Sequence, residues 1–261
     1  MLPVAKTGMR ATMQEIAVIS NNIANASSAG FKRSRAMFSD IYGGELSGGM
    51  QDVKPGLGVR QYEPRRAHEQ GSFRATGAAL DLAVNGNGMF AVKKQNGDDM
   101  MRYTRNGAIE LTADGLLVTS EGYQYMSTDL EPIRLPFAIL DNNNQERRLS
   151  KVDVKDSGLI EATYGQDFVV NIGELTLAQF RDPGALKAEG RNFFLETRES
   201  GAPVFTRPLD QGAGNLQSGY IETSNVDLTE EMTMLLRSQQ AFSAVSRMVQ
   251  SDVEAVRKFT S

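Results

Sequence analysis

The sequence predicts an α+β protein: paired N- and C-terminal α-helices, meeting as a coiled coil, with a β-rich middle domain inserted between them. Three observations predict it. Apolar residues recur at spacings of three and four near each end of the chain, and turn dipeptides alternate with short apolar runs between those ends. Each end helix carries a single apolar stripe, which gains little in water unless something covers it.

At the N-terminus the stripe is Ala5, Met9, Ile16, Ile19 and Ile23, with Thr12 at the one polar step and no proline after Pro3. It runs into ISNNIANASSAGF, where Asn21, Asn22 and Asn25 stand at the point a helix must end, since a short amide competes for backbone hydrogen bonds. Residues 43–58 hold several glycines and Pro55 and read as a loop or extended connector. The middle carries turn signals at Asn85-Gly86, Asn87-Gly88, Asn96-Gly97, Asn106-Gly107, Asp114-Gly115, Glu121-Gly122 and Gly165. Between them lie runs such as Leu80 to Val84, Met89 to Val92 and Gly115 to Thr119, the pattern of β-hairpins. The C-terminal stripe is Leu228, Met232, Leu235, Phe242, Val245, Val249, Val253 and Val256, with Gln239 at its polar step, on a helix of about 30 residues and roughly 45 Å. Asp227 or Ser224 is placed to cap it, Glu230 and Glu231 suit the positive end of its dipole, and Arg257 and Lys258 suit the negative end. The division that follows is 1–30 with 225–261 as a helical core, 31–75 with 212–224 as an extended connector and β-hairpin region, and 76–211 as a β-rich outer domain.

Composition excludes several function classes. The 261 residues carry 28 basic and 32 acidic side chains, a net charge of −4 with no single-sign block, which disfavours nucleic acid as a partner. The absence of cysteine removes disulfides, thiolate nucleophiles and cysteine-ligated metals. No apolar run approaches the roughly 20 residues of a membrane span, so the chain is not expected to be membrane-embedded. The N-terminus lacks the basic and apolar regions of a Sec signal, so any export is expected to use another machine.

Candidate chemistry fares poorly. His68 is the single histidine, too little for a catalytic triad or a multi-histidine metal site. Asn85 to Gly88 lacks the spacing of a dinucleotide-binding loop and reads as a hairpin turn. Asp141 to Glu146 lacks the glycine and glutamate of a calcium-binding loop. Asp98-Asp99 and Glu230-Glu231 are sequence neighbours, expected to face different directions. No catalytic residue, metal or cofactor is expected. Lys32, Arg33 and Arg35 form a small basic cluster suited either to solvent or to acidic groups of an adjacent subunit.

Several blocks, in order, resemble the bacterial flagellar basal-body rod protein family, of the FlgG and FlgF type. They are Ile19 to Phe38 (ISNNIANASSAGFKRSRAMF), Gly56 to Arg60 (GLGVR), Gln70 to Val92, Tyr103 to Gln124, and Gly219 to Phe242 (GYIETSNVDLTEEMTMLLRSQQAF). Residues 137–170 and 181–210 carry little of the pattern, the segment Ser39 to Leu57 is shorter than in distal-rod members, and Met89-Phe90 replaces an aromatic pair. The blocks nevertheless look closer to distal than to proximal members. The resemblance implies a non-enzymatic subunit that assembles helically into a drive shaft transmitting torque from motor to hook. It implies as partners many copies of itself in a helical tube, other rod proteins, the hook protein, the surrounding P- and L-ring proteins and the flagellar type III export apparatus. It further implies that the two apolar stripes are assembly surfaces. Asn21, Asn22, Asn25, Gly30 and Phe31 would form a termination motif in which Asn22 and Asn25 satisfy the last helical carbonyls and Gly30 supplies backbone freedom. From other classes, a wall-remodelling periplasmic hydrolase would need two convergent carboxylates, and an adhesin-like β-domain would leave assembly intact when deleted.

Overall fold

The apolar stripe, with no proline after Pro3, carries the first element, α1 (Leu2–Ala24), in a computed structural model that describes residues 2–42, 56–95, 100–140 and 145–260. Its polar step is settled locally, because the Thr12 hydroxyl donates to the carbonyls of Met9 and Gly8. The last element, α2 (Leu228–Thr260), starts where Asp227 Oδ1 accepts from the amides of Thr229 at 2.8 Å and Glu230 at 3.2 Å. Asp227 therefore caps that first turn. No described helix is long and apolar enough to cross a membrane.

The described residues divide into two units, 1–26 with 33–67 and 226–261, and 27–32 with 68–225. In the first, α1 and α2 pack against each other, and α1 also lies on an antiparallel ribbon of β1 (Ser34–Tyr42) and β2 (Gly56–Arg66). Residues 56–58, read as a loop or extended connector, form the start of β2. Gly58 serves packing, since a Cβ on it, at φ +118°, would sit 2.3 Å from Thr7 Oγ1 of α1, whereas one on Gly56 would meet nothing within 4 Å. Residues 43–55 lie outside the described residues.

The second unit is built from β-sheets. Its largest has nine strands, with Met89–Lys94 at its centre between Met101–Thr104 and Tyr123–Tyr125. Phe90 and Val92 point to one buried cluster, with Leu117, Tyr125, Ile160 and Leu177, while Met89 and Ala91 point to another, with Tyr103 and Phe194. A strand covered on both faces must be apolar at every step, which is why MFAV is continuous rather than alternating. A four-stranded antiparallel sheet (Ala138–Leu140, Glu146–Val154, Leu159–Tyr164, Phe168–Glu174) and two short pairs complete it. In those pairs Leu82–Asn85 meets Asn215–Ser218, and Phe73–Ala75 meets Tyr220–Glu222.

Three of the turn signals close hairpins: Asp114-Gly115, Glu121-Gly122 and Gly165. Two do not. Asn85 to Gly88 is a corner, because the strand before it pairs with Asn215–Ser218 and the strand after it with three others, none of them its sequence neighbour across the turn. Asn106-Gly107 likewise turns between strands that do not pair with each other, and a Cβ on Gly107 would lie 1.7 Å from the Leu82 carbonyl oxygen. Asn96-Gly97, Asp98-Asp99 and Asp141 to Asn144 lie outside the described residues.

Candidate functional site

The segment Asn21 to Arg33 is where the sequence concentrates its unusual residues, and it contributes to two polar clusters, one in each unit. Asn25 closes the helix: its side-chain amide donates to Asn21 O at 2.9 Å. Asn22 does something else. It is 1% exposed, its amide donates to Ser34 O at 2.9 Å and Glu231 Oε2 at 3.1 Å, and its Oδ1 accepts from Ser34 N at 2.9 Å. It thus pairs with a β1 peptide as a neighbouring strand would, and spends none of its bonds on its own helix. The physical reason is burial: a side-chain amide shut away from water needs its donors and acceptor met, and Ser34 and Glu231 meet them.

Arg33 completes this cluster within the helical unit. Its guanidinium forks onto Glu230 at 3.0 and 3.1 Å, and its Nε lies 2.6 Å from Glu231 Oε1. The adjacent carboxylates Glu230 and Glu231, expected to diverge, therefore converge on one cation. Burial opposes the charge on Arg33, but the hydrogen bonds and charges of both glutamates outweigh it and hold the guanidinium above its ordinary range.

The second cluster lies within the β-unit. Lys32 is buried completely, and its Nζ donates to Glu222 Oε1 and to Glu69 O, both at 2.7 Å. Glu222, equally buried, also accepts from Gly71 N at 2.8 Å and faces Arg105 Nη1 at 3.4 Å. Arg105 further donates to Val84 O and Gly86 O. Burial pulls the Lys32 ammonium below its ordinary range; Glu222 acts against that, and Arg105 adds to it. The basic cluster is thus resolved: Lys32 and Arg33 hold acids of their own chain, because a fully buried lysine requires a partner wherever the chain supplies one. Arg35 is exposed.

Gly30 and Phe31 lie at the root of this second cluster. Gly30 has φ +66°, its amide donates to Glu222 O at 2.8 Å, and a Cβ there would fall 2.6 Å from the Asn106 amide nitrogen. Phe31 is buried. Asn21 is exposed on the last turn of α1. Neither Glu222 nor Arg105 was legible as a partner of Lys32, since 190 residues separate Lys32 from Glu222.

The helix stripes divide into covered and uncovered parts. On α1, Ile19 is buried and Ala5, Met9, Ile16 and Ile23 are half-buried. On α2, Leu235, Phe242, Val245 and Val249 are half-buried, whereas Leu228, Met232 and Val253 are exposed. Glu231 and Ser238 are the most covered residues of α2, so its inner line runs one step away from its most apolar one. Leu236 and Met248, outside the predicted stripe, are 60% and 56% exposed.

Comparison with known proteins covers most of the chain. Residues 2–32 match the flagella basal body rod protein family, 83–162 the flagellar hook protein FlgE/F/G D1 domain, and 217–254 the flagellar basal body rod FlgEFG protein C-terminal family. The chain is 32% identical to the flagellar basal-body rod protein FlgG of Buchnera aphidicola subsp. Acyrthosiphon pisum, over 98% of this chain and 97% of that one. It is 35% identical to FlgG of Agrobacterium fabrum, over 95% and 93%. Similarity to the flagellar basal-body rod protein FlgF of Caulobacter vibrioides is weaker, 27% over 94% and 89%.

Proposed function

This chain belongs to the flagellar basal-body rod protein family of the FlgG type, and from that premise we propose that it is a structural subunit of the bacterial flagellar rod. In this reading copies assemble helically through the terminal helices, pairing there as a coiled coil, into a drive shaft that carries torque from motor to hook. Residues 1–30 with 225–261 form its helical core, 31–75 with 212–224 the connector and 76–211 the β-rich domain. The partners are other copies, further rod proteins, the hook protein and the P- and L-ring proteins. Export runs through the flagellar type III apparatus without a Sec signal, and the protein resides in the basal body.

One observation carries the assembly surface: large apolar side chains stand uncovered along both terminal helices, Val4 and Met13 on α1 and Leu228, Met232, Leu236, Met248 and Val253 on α2. A fully buried side chain of this size contributes about 1.5 to 3 kcal/mol, so their burial between copies supplies a driving force that one copy leaves unused.

The test separates folding from assembly. Met232→Asp combined with Leu236→Asp alters exposed positions, so the purified variant should keep the circular dichroism and melting temperature of the parent. Introduced into cells lacking the native gene, it should yield no hook or filament and no swimming. A companion set at the half-buried positions Ile16, Ile23, Leu235 and Phe242, replaced by polar residues, should also stop assembly. Complete filaments on swimming cells in both cases would remove the assignment of the terminal helices as the assembly surface.

A further inference from the structure

The corner at Asn85 to Gly88, set aside as a nucleotide loop, borders a cleft of 280 Å³ within the β-unit. Its polar lining is His68, Asn87, Arg105, Gln179 and Arg181, with no carboxylate among the lining residues. Its remaining surface is apolar, including Met89 and Phe180. Every polar side chain there can donate a hydrogen bond, and two are permanent cations.

Arg105 is the buried member, 5% exposed. Its η nitrogens are taken by Val84 O, Gly86 O and Glu222, while its Nε finds no hydrogen-bond partner among the described residues. Glu222 is shared between Arg105 and Lys32, and it does not line the cleft. Arg181, by contrast, is exposed at the cleft. A concave site with an apolar wall, a donor rim and surplus positive charge suits an anion attached to a short hydrocarbon stem. A bare inorganic anion would leave the apolar wall wet.

We propose that this cleft binds a carboxylate carried on a short apolar stem. Two sources share that chemistry, a free small dicarboxylic acid and a glutamate side chain of a second copy. The proposal stands on the cleft alone and does not depend on the rod assignment.

The lone histidine makes the test direct, since the ring C–H signals of His68 in proton NMR need no assignment. Glutarate, which reproduces the glutamate stem, is titrated into the full-length protein, with neutral glutaramide as the control. Glutarate should move the His68 signals saturably and glutaramide should not. Arg181→Ala, at an exposed position, should keep the parental melting temperature and weaken glutarate binding by about tenfold or more, the effect of losing one charge-assisted hydrogen bond. A second series raises protein concentration without glutarate. His68 shifts that grow with concentration, vanish in Arg181→Ala and are reversed by glutarate assign the carboxylate to a second copy; concentration-independent spectra with intact glutarate binding assign it to a free acid. An absent or non-saturating response to glutarate, an equal response to glutaramide, or unchanged affinity in Arg181→Ala overturns the proposal.

Discussion

At the scale of single residues, the fold's most demanding feature is the fully buried trio of Lys32, Glu222 and Arg105. Removing Glu222 takes away the carboxylate that Lys32 and Arg105 share, and breaking a buried pair typically costs about 3 to 5 kcal/mol. Glu222→Gln should therefore lower the urea stability of the β-unit by that order, followed by tyrosine fluorescence because the chain has no tryptophan. Lys151→Ala, which removes an ion pair with Asp153 that is largely exposed, should change it by under about 1 kcal/mol. Equal effects would show that burial is not what gives the trio its weight. The buried phenols make a separate prediction. Burial, reinforced by Glu196, raises the pKa of Tyr103, and burial reinforced by Glu121, Asp81 and Glu110 raises that of Tyr125. Above a pH of about 10 an unfolded chain loses these protons while the folded one keeps them, so their contribution to stability falls as pH rises. Tyr62, whose hydroxyl is lowered by its bonds to Ser39 and Arg60, should ionise in the folded state, whereas Tyr103 and Tyr125 should ionise only as the circular dichroism is lost. Phenolate absorbance from all seven tyrosines rising in one step, ahead of unfolding, would contradict this assignment.

At the scale of elements, Gly30 shows how a turn depends on backbone from far away. A left-handed residue with a side chain costs about 1 to 2 kcal/mol, and at Gly30 the added Cβ also strikes the backbone of Arg105 and Asn106. Gly77 has a similar φ of +74° but nothing within 4 Å of its Cβ position. Gly30→Ala should hence cost at least about 2 kcal/mol and Gly77→Ala about 1, a difference readable in denaturant midpoints; identical losses would leave conformation alone as the reason for Gly30. The same contrast explains what the sequence made legible. Both helices, the Asp227 cap and the hairpins at Asp114-Gly115, Glu121-Gly122 and Gly165 are set by residues within a few positions of one another, and local pattern finds them. The corner at Asn85 to Gly88 differs from those hairpins only in where its strands find partners, at Asn215–Ser218 and Leu177–Gln179, far along the chain. Asn22 was legible as a helix-ending residue because of its amide, but its true partners, Ser34 and Glu231, lie 12 and 209 residues away. The stripes at Ile19 and Phe242 were visible by periodicity, whereas the cover given to Ser238 and withheld from Leu236 was not, since that depends on which way α2 turns toward α1.

At the scale of the whole molecule, the distribution of buried apolar residues predicts unequal resistance to unfolding. The three buried hydrophobic clusters all lie in the β-unit, drawing on residues between Leu80 and Leu216. Among the described residues the terminal helices contribute few buried apolar side chains, chiefly Ala11 and Ile19 on α1, and the buried residues of α2 are Glu231 and Ser238. Local opening follows apolar burial, so the helical ends should open at free energies well below that of the sheets. Trypsin acting on dilute monomer should accordingly cut first within about 30 residues of each end, at exposed Lys6 and Arg10 in α1 and Arg247, Arg257 and Lys258 in α2. A fragment retaining the β-unit should persist, identified by mass spectrometry, and hydrogen exchange should show slow amides at Phe90, Val92, Leu117 and Tyr125 with fast ones beyond Phe242. Cleavage beginning at Arg134, Arg147 or Arg198 while both helices stay intact would reverse this ranking. It would place the stability of the free chain in its helical ends and would leave the uncovered side chains of α2 without a need for neighbouring copies to cover them.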